Sequence, residues 1–439
     1  MSLRKLALAA ALALAPGSVA AAATEIEFWH SMNGAFAEGV AGLAAQFNAS
    51  QSAYRVMPAF KGEYEQSMAA ALAAVRSGRA PHIIEISDAG TAAMLAAKNA
   101  IRPVHQLMSG AGEKFDARAY VPALAGHYAD GRGKLIALPF NGATAVFYYN
   151  KDAYRASGLD PEKAPQTWRD VQQAALKVQE SGAAPCAFTT GWQSWVQVEN
   201  LSAWHNQPFA TRKNGFEGTD VKLNFNAELM IRHISLLSSW MKSGLFTYAG
   251  RRDAAEAKFS SGECAMLTSS SAAYWTIASG ARFAFGVAPL PFYDEFKGAP
   301  FNTTSDGAGL WVMAGRKSGD YKGVARFLSF LSRPEVQAEW QRQTGLLPVT
   351  TAGVELARRR GFYKINPGAD TPVKSLARAT AVYSKGLRLG NLALIRAAID
   401  EELEAVWNQT KTPKEALDAA VERGNELLRR FERAHKRRN

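Results

Sequence analysis

Arg396 is the residue whose placement most directly suggests chemistry. On a helix expected over 392–407, Leu392, Ile395, Ile399, Leu403 and Val406 share one face, and at about 100° per residue Arg396 falls inside that apolar stripe. A guanidinium so placed keeps its charge and offers a planar fork of donors, which suits a phosphate. A protein carboxylate, or an escape to the edge of the helix, would also satisfy it. Ser270 lies in Thr268-Ser269-Ser270-Ser271, ahead of a helix expected from Ala272. Its hydroxyl and the neighbouring amides either meet an anion or simply cap that helix. Gly307 either lets backbone approach a ligand or makes a turn. Tyr64 and Trp192, taken alone, read as core aromatics.

No catalytic motif accompanies these residues. The 7 histidines are scattered without metal-ligand spacing, and neither H-E-x-x-H nor G-x-S-x-G occurs. No metal site, cofactor or activated nucleophile is expected. The rival is a secreted phosphodiesterase or glycosidase, resting on carboxylates whose pairing a sequence does not reveal.

The elements that must position these residues alternate. Glu25–Trp29 reads as a strand, with Phe36, Val40, Leu43 and Phe47 on a following helix. Strand 54–60, helix 64–76, strand 82–86 and helix 91–98 continue the order, which favours a mostly parallel sheet covered on both faces. A second run begins with strands at 135–140 and 145–150, and Thr167 caps a helix. Strands at 186–189, 264–268 and 283–289 and a helix at 227–242 follow, then strand 309–314 and paired helices at 321–331 and 334–343. Small residues collect at Asn141-Gly142-Ala143-Thr144 and Thr303-Thr304-Ser305-Asp306-Gly307, as crossovers between two runs require, or as surface turns do.

Residues 1–23 carry Arg4 and Lys5, an apolar run from Leu6 to Ala15, then Pro16-Gly17-Ser18 and alanines. That is the order of a cleavable export signal, too short in its apolar part to span a bilayer. Its removal leaves 416 of the 439 residues, enough for two lobes, with 49 basic against 39 acidic side chains. Several of the basic residues crowd one C-terminal run, Arg429 to Arg438, and read as a solvated helix end. No nucleic-acid module accompanies them. Cys186 and Cys264 are the 2 cysteines, in an oxidising compartment; they pair or are separately buried. Neither follows the signal, so no lipid anchor is expected and the protein should be free in the periplasm.

Several segments carry a family resemblance. Phe28-Trp29-His30-Ser31, Lys61-Gly62-x-Tyr64-Glu65-Gln66, Phe147-Tyr148-Tyr149-Asn150-Lys151-Asp152 and Thr167-Trp168-x-Asp170 belong to it. So do Gly191-Trp192-Gln193-x-Trp195, Lys385-Gly386-Leu387-Arg388-Leu389-Gly390-Asn391 and Asp400-Glu401-Glu402-Leu403. Together they resemble the periplasmic sn-glycerol-3-phosphate-binding proteins of ABC importers, within extracellular solute-binding protein family 1. The resemblance implies an α/β, two-lobed periplasmic-binding-protein (Venus-flytrap) fold of type II with three interlobe crossovers. Residues 24–143 and 306–345 would form the N-terminal lobe, and 144–305 with 346–439 the C-terminal lobe. It implies a monomeric receptor without catalytic activity. Such a receptor passes a small ligand to permease subunits in the inner membrane, driven by a cytoplasmic ATPase.

Residue by residue, the resemblance assigns Arg396, Ser270 and Gly307 to the phosphate, Tyr64 to the glycerol end and Trp192 to the wall beside it. Asp88 stands where the family commonly has a glutamate for the glycerol hydroxyls. Ala143 replaces a serine and Leu346 a tyrosine, so two phosphate donors are missing. Thr144, Asn141 or bound water would have to replace them, at roughly 1 kcal/mol per neutral donor. A glycerophosphodiester, or another polar ligand such as a carbohydrate, would fit the space the tyrosine vacates.

Overall fold

The computed structural model describes residues 22–436. All but the end of the expected export signal, and Arg437 and Arg438 of the basic run, lie outside the described residues. Eight strands form one sheet: β1 (Thr24–His30), β2 (Tyr54–Phe60), β3 (Ile83–Ser87), β4 (Leu138–Asn150), β5 (Cys186–Thr190), β6 (Cys264–Ser270), β7 (Phe285–Ala288) and β8 (Ser305–Val312). Their order is β2-β1-β3-β8-β4-β6-β5, with β7 also on β4. The pairs β1/β2, β1/β3 and β5/β6 are parallel, while β8 and β4 run antiparallel to their neighbours.

β4 joins the two halves of the molecule. Sequence predicts two strands separated by a small-residue bend at 141–144, yet the chain runs as one strand from Leu138 to Asn150. The reason is pairing: Leu138 to Thr144 lie against β8, and Ala145 to Tyr149 lie against β6. A register irregularity between Pro139 and Asn141 supplies the distortion that the small residues permit. Ser305, Asp306 and Gly307 likewise belong to β8, facing Thr144, Ala143 and Gly142.

Two apolar cores flank this crossing. The first holds Ile26, Phe28, Ile83, Ile84, Phe140, Leu310 and Trp311, and the second Phe147, Phe188, Met266, Ile395 and Ile399. Leu346, Leu347, Val349, Val354 and Leu376 pack in the first core. Leu346, where the sequence reading puts a change of lobe, thus lies in the first core, and Leu387 and Leu389 lie in the second. Residues beyond Leu346 also meet the second half of the molecule: Phe362 packs with Trp275, the Thr371 hydroxyl donates to the Val287 carbonyl at 3.1 Å, and the Asn302 amide donates to the Ala379 carbonyl at 3.3 Å.

Cys186 and Cys264 form a disulfide, with Cα atoms 4.4 Å apart and facing each other in the β5/β6 register. The separation of 78 residues concealed a proximity that strand pairing creates. Arg429, Arg430 and Arg433 are exposed on the last turns of the helix Pro413–Lys436. Among the described residues no helix is long and apolar enough to cross a membrane.

Candidate functional site

Where β4 and β8 cross between the cores, groups from both lobes converge. The helix Leu392–Trp407 forms where the sequence reading places it, its apolar stripe buried in the second core. Arg396 extends from that helix to two carboxylates. Its Nε and Nη2 donate to Glu199 at 2.7 and 2.8 Å, a fork-on-fork pair, and Nη1 donates to Asp306 at 3.3 Å. Burial alone would weaken the guanidinium's hold on its proton, but the two carboxylates more than offset this and bind it harder. The anion that Arg396 requires is thus supplied, in this state, by the protein.

Glu199 comes from a π-helical turn, Ser194–Asn200, continuous with Leu201–Trp204. The wider turn also delivers Asn200, whose Oδ1 accepts from the Thr304 amide at 3.0 Å, and Gln197, which bonds Thr190 and Thr268. Burial pushes the Glu199 carboxyl up, against the pull of Arg396. Asp306 is also raised by burial, again opposed by Arg396.

On the first-lobe side, Asp88 follows β3 and accepts from the Tyr128 hydroxyl and from Ser305 Oγ at 3.1 Å. His127 meets the Asp88 carbonyl and Thr91 Oγ1 at 3.3 and 3.0 Å, and burial lowers its pKa, which favours the neutral ring. Tyr64, on the first turn of the helix Tyr64–Arg76, donates to Glu85 Oε1 at 3.3 Å. Glu85 is wholly buried in β3 among isoleucines, with the Ser31 amide at 2.9 Å and Asn141 Nδ2 at 3.3 Å as further donors. Burial pushes Glu85 up to about 7 despite those three bonds.

The remaining positions named from sequence lie on the same crossing. Ala143 faces Asp306, Gly142 faces Gly307, and Ala145 faces Ser270. A Cβ on Gly307 would lie 2.4 Å from the Asn141 carbonyl oxygen, so the glycine allows the close approach of two strands. Ser270 Oγ accepts from the Ala272 amide at 3.2 Å as a helix cap. Trp192 has φ +49°, rare for so bulky a residue; its amide donates to the Arg252 carbonyl at 2.7 Å, and its ring packs with Ala145 and Trp195. Leu346 is buried in the first core beside the Leu347 amide that donates to the Gly142 carbonyl.

Thr144 and Asn141 are already engaged within the protein. The Thr144 hydroxyl donates to the Thr304 carbonyl at 2.8 Å, its amide donates to Ser271 Oγ, and Asn141 spans Glu85 and the Ala308 amide.

Asp88, His127, Glu199, Thr304, Lys385 and Arg396 line a pocket of about 10 Å³ at this crossing. That is on the order of one water.

Glu85, Glu199 and Asp306 are the groups that the sequence reading missed. Glu85 interrupts an apolar run, Ile83-Ile84-Glu85-Ile86, and that was a usable signal. Glu199 had none, because a π-helical turn leaves no periodic mark. Among the described residues no cluster of His, Cys, Asp or Glu could hold a metal ion.

Residues 42–358 match the family model for the bacterial extracellular solute-binding proteins. The chain belongs to that family. This solute-binding protein is 48% identical over 437 residues to the sn-glycerol-3-phosphate-binding periplasmic protein UgpB of Yersinia pestis bv. Antiqua (strain Antiqua), covering 99% of both chains. It is 48% identical to UgpB of Salmonella paratyphi A over 438 residues, 99% of this chain and 100% of the relative. Among solved structures it is similar to UgpB from Mycobacterium tuberculosis in complex with glycerophosphocholine, at TM-score 0.76 and 22% identity, over 93% of this chain and 99% of that one. The cyclic α-maltosyl-1,6-maltose binding protein from Arthrobacter globiformis also gives TM-score 0.76 at 22% identity, covering 92% and 99%. These neighbours share the two-lobed fold of this solute-binding protein.

Proposed function

We propose that this chain is the periplasmic receptor of an ABC importer for sn-glycerol-3-phosphate or a related glycerophosphodiester. It hands that ligand to permease subunits in the inner membrane, powered by a cytoplasmic ATPase, and breaks no bond itself. The observation that carries the reading is the convergence of Tyr64 and Asp88 from one lobe with Arg396 from the other, at the β4/β8 crossing where Gly307 lies. Identity of 48% over nearly the whole chain to proteins named for sn-glycerol-3-phosphate binding supports the ligand class.

In this reading the lobes part, the ligand's phosphate engages Arg396 and the backbone around Gly307, and its hydroxyls meet Asp88 and Tyr64. Closure then excludes water, which strengthens each of these polar contacts. A second reading, a neutral polyol or carbohydrate, is favoured by one observation: the Arg396 guanidinium already meets two carboxylates.

Calorimetric titration of the mature protein with glycerol-3-phosphate, glycerophosphocholine, inorganic phosphate and maltose separates these readings. Saturable binding of a glycerophosphate compound at one site per chain is expected. Tight maltose binding with no response to any phosphate compound would refute the proposal. Release of product from glycerophosphocholine in excess over protein would instead favour the enzyme.

A further inference from the structure

Glu199 and Asp306 do not hold Arg396 alike. The Glu199 side chain is 2% exposed and takes two short bonds, whereas Asp306 is 34% exposed and takes one at 3.3 Å. Asp306 is therefore the partner that an incoming group displaces most readily. It also faces Ala143 across the strand pair, so the wall that lacks a hydroxyl donor carries a carboxylate opposite. Around the pocket, Asp88, Glu199 and Asp306 outnumber Arg396 and Lys385 by one charge before any ligand arrives. One further feature points to a ligand there: Thr304, 6% exposed, lines the same pocket, and its Oγ1 has no hydrogen-bond partner among the described residues.

Resting on the receptor reading above, we infer that Asp306 determines specificity, occupying the free edge of Arg396 and selecting phosphodiesters of low net charge over phosphomonoester dianions. A monoester phosphate carries close to two negative charges at neutral pH, because its second pKa is about 6. A diester carries one, and a diester bearing a cation carries none. Each added negative charge meets Asp306 and Asp88 at close range, well within a Debye length, where salt screens repulsion little. Thr304 Oγ1, being neutral, accommodates a ligand hydroxyl or phosphate oxygen in every case.

The test is calorimetric titration at pH 7.5 of wild type, Asp306→Asn and, as a smaller neutral replacement, Asp306→Ser. The ligands are glycerophosphocholine, glycerophosphoglycerol and glycerol-3-phosphate, of net charge about 0, −1 and −2. Wild type should bind them in that order, with glycerol-3-phosphate at least tenfold weaker than glycerophosphocholine. Both variants should shift the affinity ratio toward glycerol-3-phosphate, raising its binding at least tenfold more than that of glycerophosphocholine. An unchanged ratio in both variants, or a wild-type preference for glycerol-3-phosphate, would overturn the inference while leaving the receptor reading standing. Silence from all three ligands in all three proteins would overturn both.

Discussion

Arg396 cannot be removed without stranding a buried carboxylate. Glu199 takes two of the guanidinium's bonds from a site almost closed to solvent. Arg396→Ala should therefore cost about 3 kcal/mol of stability in urea denaturation, besides abolishing ligand binding. Adding Glu199→Gln should return part of that loss, and an additive double variant would show that the pair is not coupled. Glu85 makes a second prediction, one of pH. Its folded-state pKa, about 7, lies above its ordinary 4.5, so the folded protein binds the extra proton and its contribution is fully present below pH 4.5. That contribution, up to about 3 kcal/mol, is lost as pH rises through 7. Melting temperature should fall between pH 5 and 8 in wild type by more than in Glu85→Gln; parallel profiles would contradict the assignment. At this scale the sequence was legible where position on a helix constrains a side chain, as for Arg396. It was silent on Arg396's partners, because Glu199 and Asp306 lie 197 and 90 residues away.

The β4/β8 pair is the element on which the site is built, and Gly307 sets its spacing. In Gly307→Ala the new methyl would meet backbone atoms, the Asn141 carbonyl oxygen at 2.4 Å and Gly142 Cα at 3.0 Å, which cannot swing aside. We expect a loss of about 1–3 kcal/mol together with weakened binding. Gly319→Ala, whose Cβ meets nothing within 4 Å, should be neutral or stabilising, and equal effects in both would remove the special status of Gly307. At the far edge of the sheet the Cys186–Cys264 disulfide ties β5 to β6. Replacing both cysteines with alanine should cost about 2–5 kcal/mol, read from the denaturation midpoint under non-reducing conditions. Helices with strong caps were legible in the sequence: Thr167 and Asp170 close a capping box on Trp168–Ser181 as their types suggest. β4 was misread as two strands because glycine and small residues mark both bends and close strand contacts, and only the partner strand decides between them.

For the whole molecule, the lobes are held together by more than the Arg396 cluster. Arg388, in the segment that returns to the second core, donates to the carbonyls of Gly126, His127 and Ala129 in the first lobe, and its guanidinium lies 4.2 Å from the Phe216 ring centre. Removing it should favour the open form. Arg388→Ala is expected to scatter X-rays as a larger particle than wild type without ligand, and to bind more weakly; an identical scattering profile would exclude a clasp. The two-lobed α/β architecture was legible from the alternation of strand and helix patterns and from the family resemblance. Which core the segment from Leu346 to Leu376 joins was not, because its apolar residues would suit either. The central claim is that a glycerophosphate ligand is held between the lobes at the β4/β8 crossing. A crystal structure of the mature protein with glycerophosphocholine tests it most directly. The account predicts the phosphate against Arg396 and the backbone near Gly307, with glycerol hydroxyls at Asp88 and Tyr64 and the Asp306 bond to Arg396 broken or displaced. Ligand density elsewhere, such as the 360 Å³ pocket between Phe36, Trp275 and Arg342, with the Arg396 cluster undisturbed, would contradict it.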